Sequence, residues 1–293
     1  MLNLKGSIVA LVTPFHEDGS VNYLRLDELV DWHIASGTDG IVVLGTTGEA
    51  STISEEECES VLKRVIKKAA GRIPILAGSG SNCTKTMLEK SLRFQDAGAD
   101  GLLVITPYYN KANEEGMYRH FSTVADVVNI PCILYNVPGR TGCSISENVI
   151  ARLYKHENIL GIKEASGSFS YASQIARYLS DDFHMYSGND DVIVPMMALG
   201  SSGVISVFAN ILPEIVHTMV MDFLCGDLKK AREAQLKYLD VINNLFIEVN
   251  PIPVKAAMNM MGLEAGSLRL PLFEMSDGAK ARLKQSLLSV SAL

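Results

Sequence analysis

Residues 158–166 read Asn-Ile-Leu-Gly-Ile-Lys-Glu-Ala-Ser. A short apolar run ends in Lys163, and a Ser/Gly/Ser loop follows. Such a run, bounded by turn residues, predicts a buried strand. A lysine at its end has its stem gripped by the strand and its amine aimed beyond it. Burial disfavours the ammonium form, and a neutral amine can attack a carbonyl. The plainer alternative is a lysine that snorkels to water or pairs with Glu164.

One strand-plus-helix unit earlier, a second apolar run ends in Tyr135. A phenol beside such an amine can pass protons to and from an imine carbon or a hydroxyl. Thr46 and Thr47 stand between glycines in Gly45-Thr46-Thr47-Gly48-Glu49. Their hydroxyls, with nearby backbone N–H groups, suit a small carboxylate, though a tight turn with polar filler would look the same. Arg140, in the loop Val137-Pro138-Gly139-Arg140-Thr141-Gly142, could fork onto a carboxylate or simply be solvated. Glu49 has no evident catalytic partner and reads as structural. Gly188 and the run Gly200-Ser201-Ser202-Gly203 offer a weak phosphate-cradle signal, for which a bare turn serves equally.

These residues need a scaffold that brings strand ends together. Strands are predicted at 7–12, 40–44, 73–77, 101–105, 132–135, 159–163, 184–187 and 203–207. Their starts recur roughly every 20 to 34 residues, the length of a strand-plus-helix unit. Amphipathic segments lie between them at 23–36, 54–70, from Asn82 or Thr84 to 98, and at 114–128, 146–154, 168–179, 190–199 and 213–225. Ser54 with Glu57 makes a capping-box pattern. Strands without clean alternation point to a parallel sheet covered on both faces. Eight units favour an α/β fold of the (β/α)8 TIM-barrel kind. The first strand runs into Thr13-Pro14-Phe15-His16, which is no dinucleotide-binding loop. In a barrel the strand ends carrying Thr46, Tyr135, Lys163, Gly188 and Ile205 share one face. The expected division is a barrel over 1–226 and a C-terminal helical region over 227–293, with helices at 227–249, 253–261 and 277–288.

Composition narrows the functional classes. The 293 residues are 47% hydrophobic and 20% charged, with a net charge of −7. No long basic run offers itself to nucleic acid or an anionic membrane surface. Five widely spaced cysteines without a CxxC pair fit reduced thiols in a cytoplasmic protein. Six histidines form no HxxxH and no cluster at zinc spacing, so no metal site is expected. No run approaches a membrane span, and residues 7–12 are too short for a signal-peptide core.

Taken together, the chain resembles the dihydrodipicolinate synthase / N-acetylneuraminate lyase family of class I aldolases over nearly its whole length. Gly45-Thr46-Thr47-Gly48-Glu49 with Glu56 resembles one family signature. Tyr135-Asn136-Val137-Pro138 with Lys163-Glu164-Ala165 resembles the other. Asn250-Pro251-Ile252-Pro253-Val254-Lys255 and Leu268-Arg269-Leu270-Pro271 are similar to the synthase branch, as are the threonine pair and Arg140.

The resemblance implies a Schiff base between Lys163 and pyruvate, with no cofactor, and condensation with L-aspartate 4-semialdehyde. It implies that Thr47 holds the pyruvate carboxylate and that Tyr135 relays protons. Thr46 would link Tyr135 to Tyr109 of a neighbouring subunit. Arg140 would hold the semialdehyde carboxylate, and Gly188 and Ile205 would line the site through their backbones. A homodimer is then the minimum active unit, and a homotetramer is common. A related aldolase acting on N-acetylneuraminate or a 2-keto-3-deoxy sugar acid, and a catalytically silent ligand-sensing barrel, are the alternatives. Glu55, Cys58 and Thr86 stand where lysine-inhibited members carry histidines and a glutamate, so weak or no inhibition by lysine is expected.

Overall fold

The computed structural model describes residue 2 and residues 4–293. Eight parallel strands close in sequence order: β1 Gly6–Ala10, β2 Gly40–Val43, β3 Ile75–Gly78, β4 Gly101–Ile105, β5 Cys132–Asn136, β6 Ile159–Glu164, β7 His184–Ser187 and β8 Gly203–Ser206. Pairing of β8 with β1 seals the cylinder. The fold is the (β/α)8 barrel with a C-terminal helical appendage.

Alternation along the strands divides the core in two. Ile8, Ala10, Val42, Leu76, Leu103, Ile133, Leu160, Tyr186 and Ile205 belong to a cluster inside the barrel. Val9, Ile41, Val43, Leu102, Leu134 and Ile162 belong to the layer between sheet and helices.

The outer ring is α1 Tyr23–Ala35, α2 Glu55–Ala69, α3 Thr84–Asp96, α4 Glu114–Ala125, α5 Pro138–Thr141, α6 Glu147–Leu153, α7 Phe169–Ala176, α8 Ile193–Ala198 and α9 Pro213–Leu224. The capping box forms: Ser54 Oγ accepts from Glu57 N and Glu57 Oε2 accepts from Ser54 N. It supplies partners for two amide groups that a helix start leaves bare. Of the two expected openings of α3, the chain uses Thr84.

Three helices follow: α10 Leu228–Asn244, α11 Ile252–Met260 and α12 Asp277–Ser289. Here α10 packs on α8 and α9, and α12 packs on α10 and α11.

The structure corrects three expectations. The loop expected around Arg140 is a single helical turn, α5, opened by Pro138 and closed by Gly142 at φ 71°. The helix expected over 190–199 starts as a 3-10 turn, Asp190–Val192. There the Asp190 carboxylate turns inward, where its Oδ2 accepts from Val207 N and Phe208 N, both at 2.9 Å. The helix expected to reach 249 ends at Asn244, and the chain then leaves the helix axis and brings Asn250 to the barrel mouth.

Candidate active site

Lys163 enters the barrel because of one extra residue in β6. The β5–β6 register pairs Cys132 with Ile159 but Ile133 with Gly161, so Leu160 is a bulge. A bulge shifts the inward–outward phase of everything beyond it. After it Tyr135 pairs with Lys163, and Lys163 pairs with Tyr186 on β7. All three face the interior. Gly161 permits this crossing, since a Cβ there would lie 2.1 Å from His184 O.

Lys163 is 5% exposed. Its Nζ lies 4.5 Å from the Tyr135 ring centroid. Burial pulls its amine down to about 8; the nearby Asp190 carboxyl acts against that shift, and the Arg140 charge acts with it. Burial raises the Tyr135 phenol, while the Arg140 charge and a hydrogen bond with the Thr46 side chain oppose the rise. Desolvation thus moves the amine toward its neutral form and holds the phenol protonated.

These groups line one cavity of about 150 Å³ together with Thr46, Thr47, Gly188 and Asn250. An adjoining cavity of about 360 Å³ shares Thr46, Tyr135 and Arg140 and continues past Ser51, Lys90 and Tyr108. Thr47 is buried and Arg140 is exposed at the mouth. The threonine loop is tightly wound: Gly48 N donates to Gly45 O and Glu49 N to Thr46 O, both at 3.1 Å. Leu44 and Glu49, at φ 57° and 55°, bracket it in the left-handed region.

Two of the sequence-predicted residues lie off this cavity. Ile205 is fully buried in the barrel-interior cluster, and Val207, two residues on, lines the cavity in its stead. Tyr109 is 92% exposed at φ 70° and is not among the lining residues.

Sequence reasoning missed the role of the appendage. Asn250 Nδ2 donates to Thr47 Oγ1 at 3.0 Å, and Asn250 O accepts from Arg140 Nη2 at 3.1 Å. Glu49 does have a partner: Lys255 Nζ meets its Oε1 at 2.5 Å, with both side chains almost wholly buried. Lys255 Nζ also donates to Ser267 O at 2.8 Å and lies 4.1 Å from the Phe15 ring centroid. Arg269 N donates to Glu49 Oε2 at 3.1 Å. The resemblance singled out 250–255 and 268–271, but no local spacing ties them to residue 49.

A closed parallel barrel with a buried lysine, a phenol, two threonines and an arginine at its C-terminal mouth defines a (β/α)8 enzyme class. The family description "Dihydrodipicolinate synthetase family" matches residues 3–289, and the chain belongs to that family. It is 52% identical over 284 residues to the 4-hydroxy-tetrahydrodipicolinate synthase of Thermoanaerobacter sp. (strain X514), covering 97% of this chain and 95% of the relative. It is 50% identical over 283 residues to that of Clostridium perfringens (strain SM101 / Type A), covering 97% of each. Among solved structures it is similar to the chloride-inhibited dihydrodipicolinate synthase from Acinetobacter baumannii complexed with pyruvate. That likeness has a TM-score of 0.97 at 42% identity, covering 99% of this chain and 100% of the other.

Proposed function

We propose that the chain catalyses the condensation of pyruvate with L-aspartate 4-semialdehyde to 4-hydroxy-tetrahydrodipicolinate, a step toward diaminopimelate and lysine. The observation that carries this reading is Lys163: a buried amine lowered to about 8, in one cavity with Tyr135, Thr47 and Arg140.

In this reading Lys163 Nζ attacks the keto carbon of pyruvate, and the carbonyl oxygen leaves as water. The protonated imine withdraws electrons from the methyl group, which loses a proton and leaves an enamine. The enamine carbon bonds to the aldehyde carbon of the semialdehyde, whose oxygen takes a proton. The amine of the bound semialdehyde then attacks the imine carbon, closes the ring and releases Lys163. Tyr135 carries the protons. Thr47 holds the pyruvate carboxylate and Arg140 that of the semialdehyde. Gly188 shapes the site through its backbone, and Val207 takes the lining place expected of Ile205. Thr46 passes protons between Tyr135 and the partner's Tyr109, so a homodimer is the smallest competent unit and a dimer of dimers the expected assembly. Residues 1–226 supply the chemistry and 227–293 brace it. The cytoplasm is the expected compartment.

Borohydride reduction in the presence of pyruvate, followed by peptide mass mapping, should place one adduct on Lys163. Adding the semialdehyde should then consume pyruvate. Turnover of N-acetylneuraminate with none of the semialdehyde would overturn the substrate assignment.

A further inference from the structure

A threonine hydroxyl has one proton and two lone pairs. To hold a carboxylate it must spend that proton on the ligand, and nothing in the hydroxyl itself aims it there. Asn250 Nδ2 donates to Thr47 Oγ1 at 3.0 Å. A donor at that lone pair repels the hydroxyl proton from the Asn250 side. Asn250 is 5% exposed and lines the same cavity as Lys163. Its backbone oxygen also accepts from Arg140 Nη2, at 3.1 Å. Five residues later Lys255 is pinned to Glu49, the residue that closes the threonine loop. The appendage therefore grips that loop at both Thr47 and Glu49.

We propose that Asn250 is a positioning residue for the reaction: its side-chain amide occupies a lone pair of Thr47 and so turns the Thr47 proton toward the substrate carboxylate. This inference rests on the pyruvate reading above. It acts through Thr47, so the two side chains should not contribute independently.

The test is a double-mutant cycle of Asn250→Ala and Thr47→Val, read as pyruvate KM, kcat and melting temperature. The Arg140 contact uses backbone and survives both changes. Asn250→Ala is expected to raise pyruvate KM about tenfold with kcat changed less than about threefold, the loss of one well-aimed hydrogen bond to a charged group. Thr47→Val should do the same, and the double variant should match Thr47→Val within about twofold. Fold-changes that multiply, or an Asn250→Ala KM within about twofold of the unsubstituted chain, would overturn the inference. If Asn250→Ala shows no cooperative melting, Asn250→Asp decides. A carboxylate there accepts the Thr47 proton and reverses it, so pyruvate KM should rise further than tenfold; an unchanged KM overturns the inference. Failure of the unsubstituted chain to form a pyruvate adduct removes the underlying reading. An adduct with indifferent variants removes this inference alone.

Discussion

Gly188 and Lys163 are in contact by subtraction: a Cβ on Gly188 would lie 3.1 Å from Lys163 Cε and 2.6 Å from Ala165 Cβ. The missing side chain is the channel through which the lysine stem reaches the cavity. Gly188→Ala should therefore displace the amine. Overpacking of this kind costs about 1–3 kcal/mol. The rate of borohydride-trapped adduct formation should fall at least about tenfold, the rate equivalent of about 1.4 kcal/mol. Retention of the full trapping rate would mean that the stem has slack.

The amine near 8 gives a pH signature. A lysine lowered from 10.5 to about 8 is mostly protonated below that pH and mostly neutral above it. The neutral fraction, and with it the adduct rate at low pyruvate, should climb about tenfold per pH unit up to about 8 and then level. The linked stability runs the same way: the unfolded chain holds the extra proton between about 8 and 10.5, so this group adds stability as pH rises through that window. A trapping rate that kept climbing past pH 10 would place Lys163 in water.

The Glu49–Lys255 pair is buried on both sides. Removing one charge from such a pair strands the other, at a cost of about 3–5 kcal/mol. Lys255→Met should lower the melting temperature sharply, and the double change Glu49→Gln with Lys255→Met should restore much of it. A double variant no more stable than the single one would show that the partners act separately.

Lysine should inhibit poorly. Glu55 is held by Arg93 at 2.8 Å, Cys58 is buried, and Lys90 lines the adjoining cavity. The Glu55 carboxylate is already engaged by Arg93, Cys58 and Thr86 supply no charge partner for the ligand's amino group, and the Lys90 ammonium repels a second ammonium. Half-maximal inhibition below about 1 mM, an affinity of roughly 4 kcal/mol, would contradict this.

Tyr109 stands out from its own mouth at 92% exposure. If the partner's Tyr109 completes each site, then mixing Lys163→Ala chains with Tyr109→Phe chains should regenerate intact sites. With random pairing of symmetric dimers about half are mixed, and each has one whole site, giving about one quarter of full turnover. No recovery after subunit exchange would confine Tyr109 to its own chain.

The barrel and the meeting of Tyr135 with Lys163 were legible because their signals are local. Each strand is one apolar run, and Lys163 and Tyr135 sit at run ends. Boundaries slipped where a side chain from elsewhere intervened: Asp190 was drawn to the amides after β8, and the end of α10 yielded to the docking of Asn250. Glu49 read as structural; its partner Lys255 lies 206 positions away, and periodicity carries no information over that distance. The Leu160 bulge was equally silent, since an extra residue in a strand shows only against its neighbour.

The register continues one step past Tyr135 and Lys163. Asn136 lies opposite Glu164, and its Nδ2 donates to Glu164 Oε2 at 2.7 Å while its Oδ1 accepts from Ile145 N at 3.0 Å. Phenol and amine are thus rivets in a single plate, welded just beyond their own positions. The segments after them, 137–143 and 165–168, hang from that plate without setting its spacing. A lineage could recast those segments, and with them the mouth around Arg140, while the spacing of phenol and amine stayed as it was.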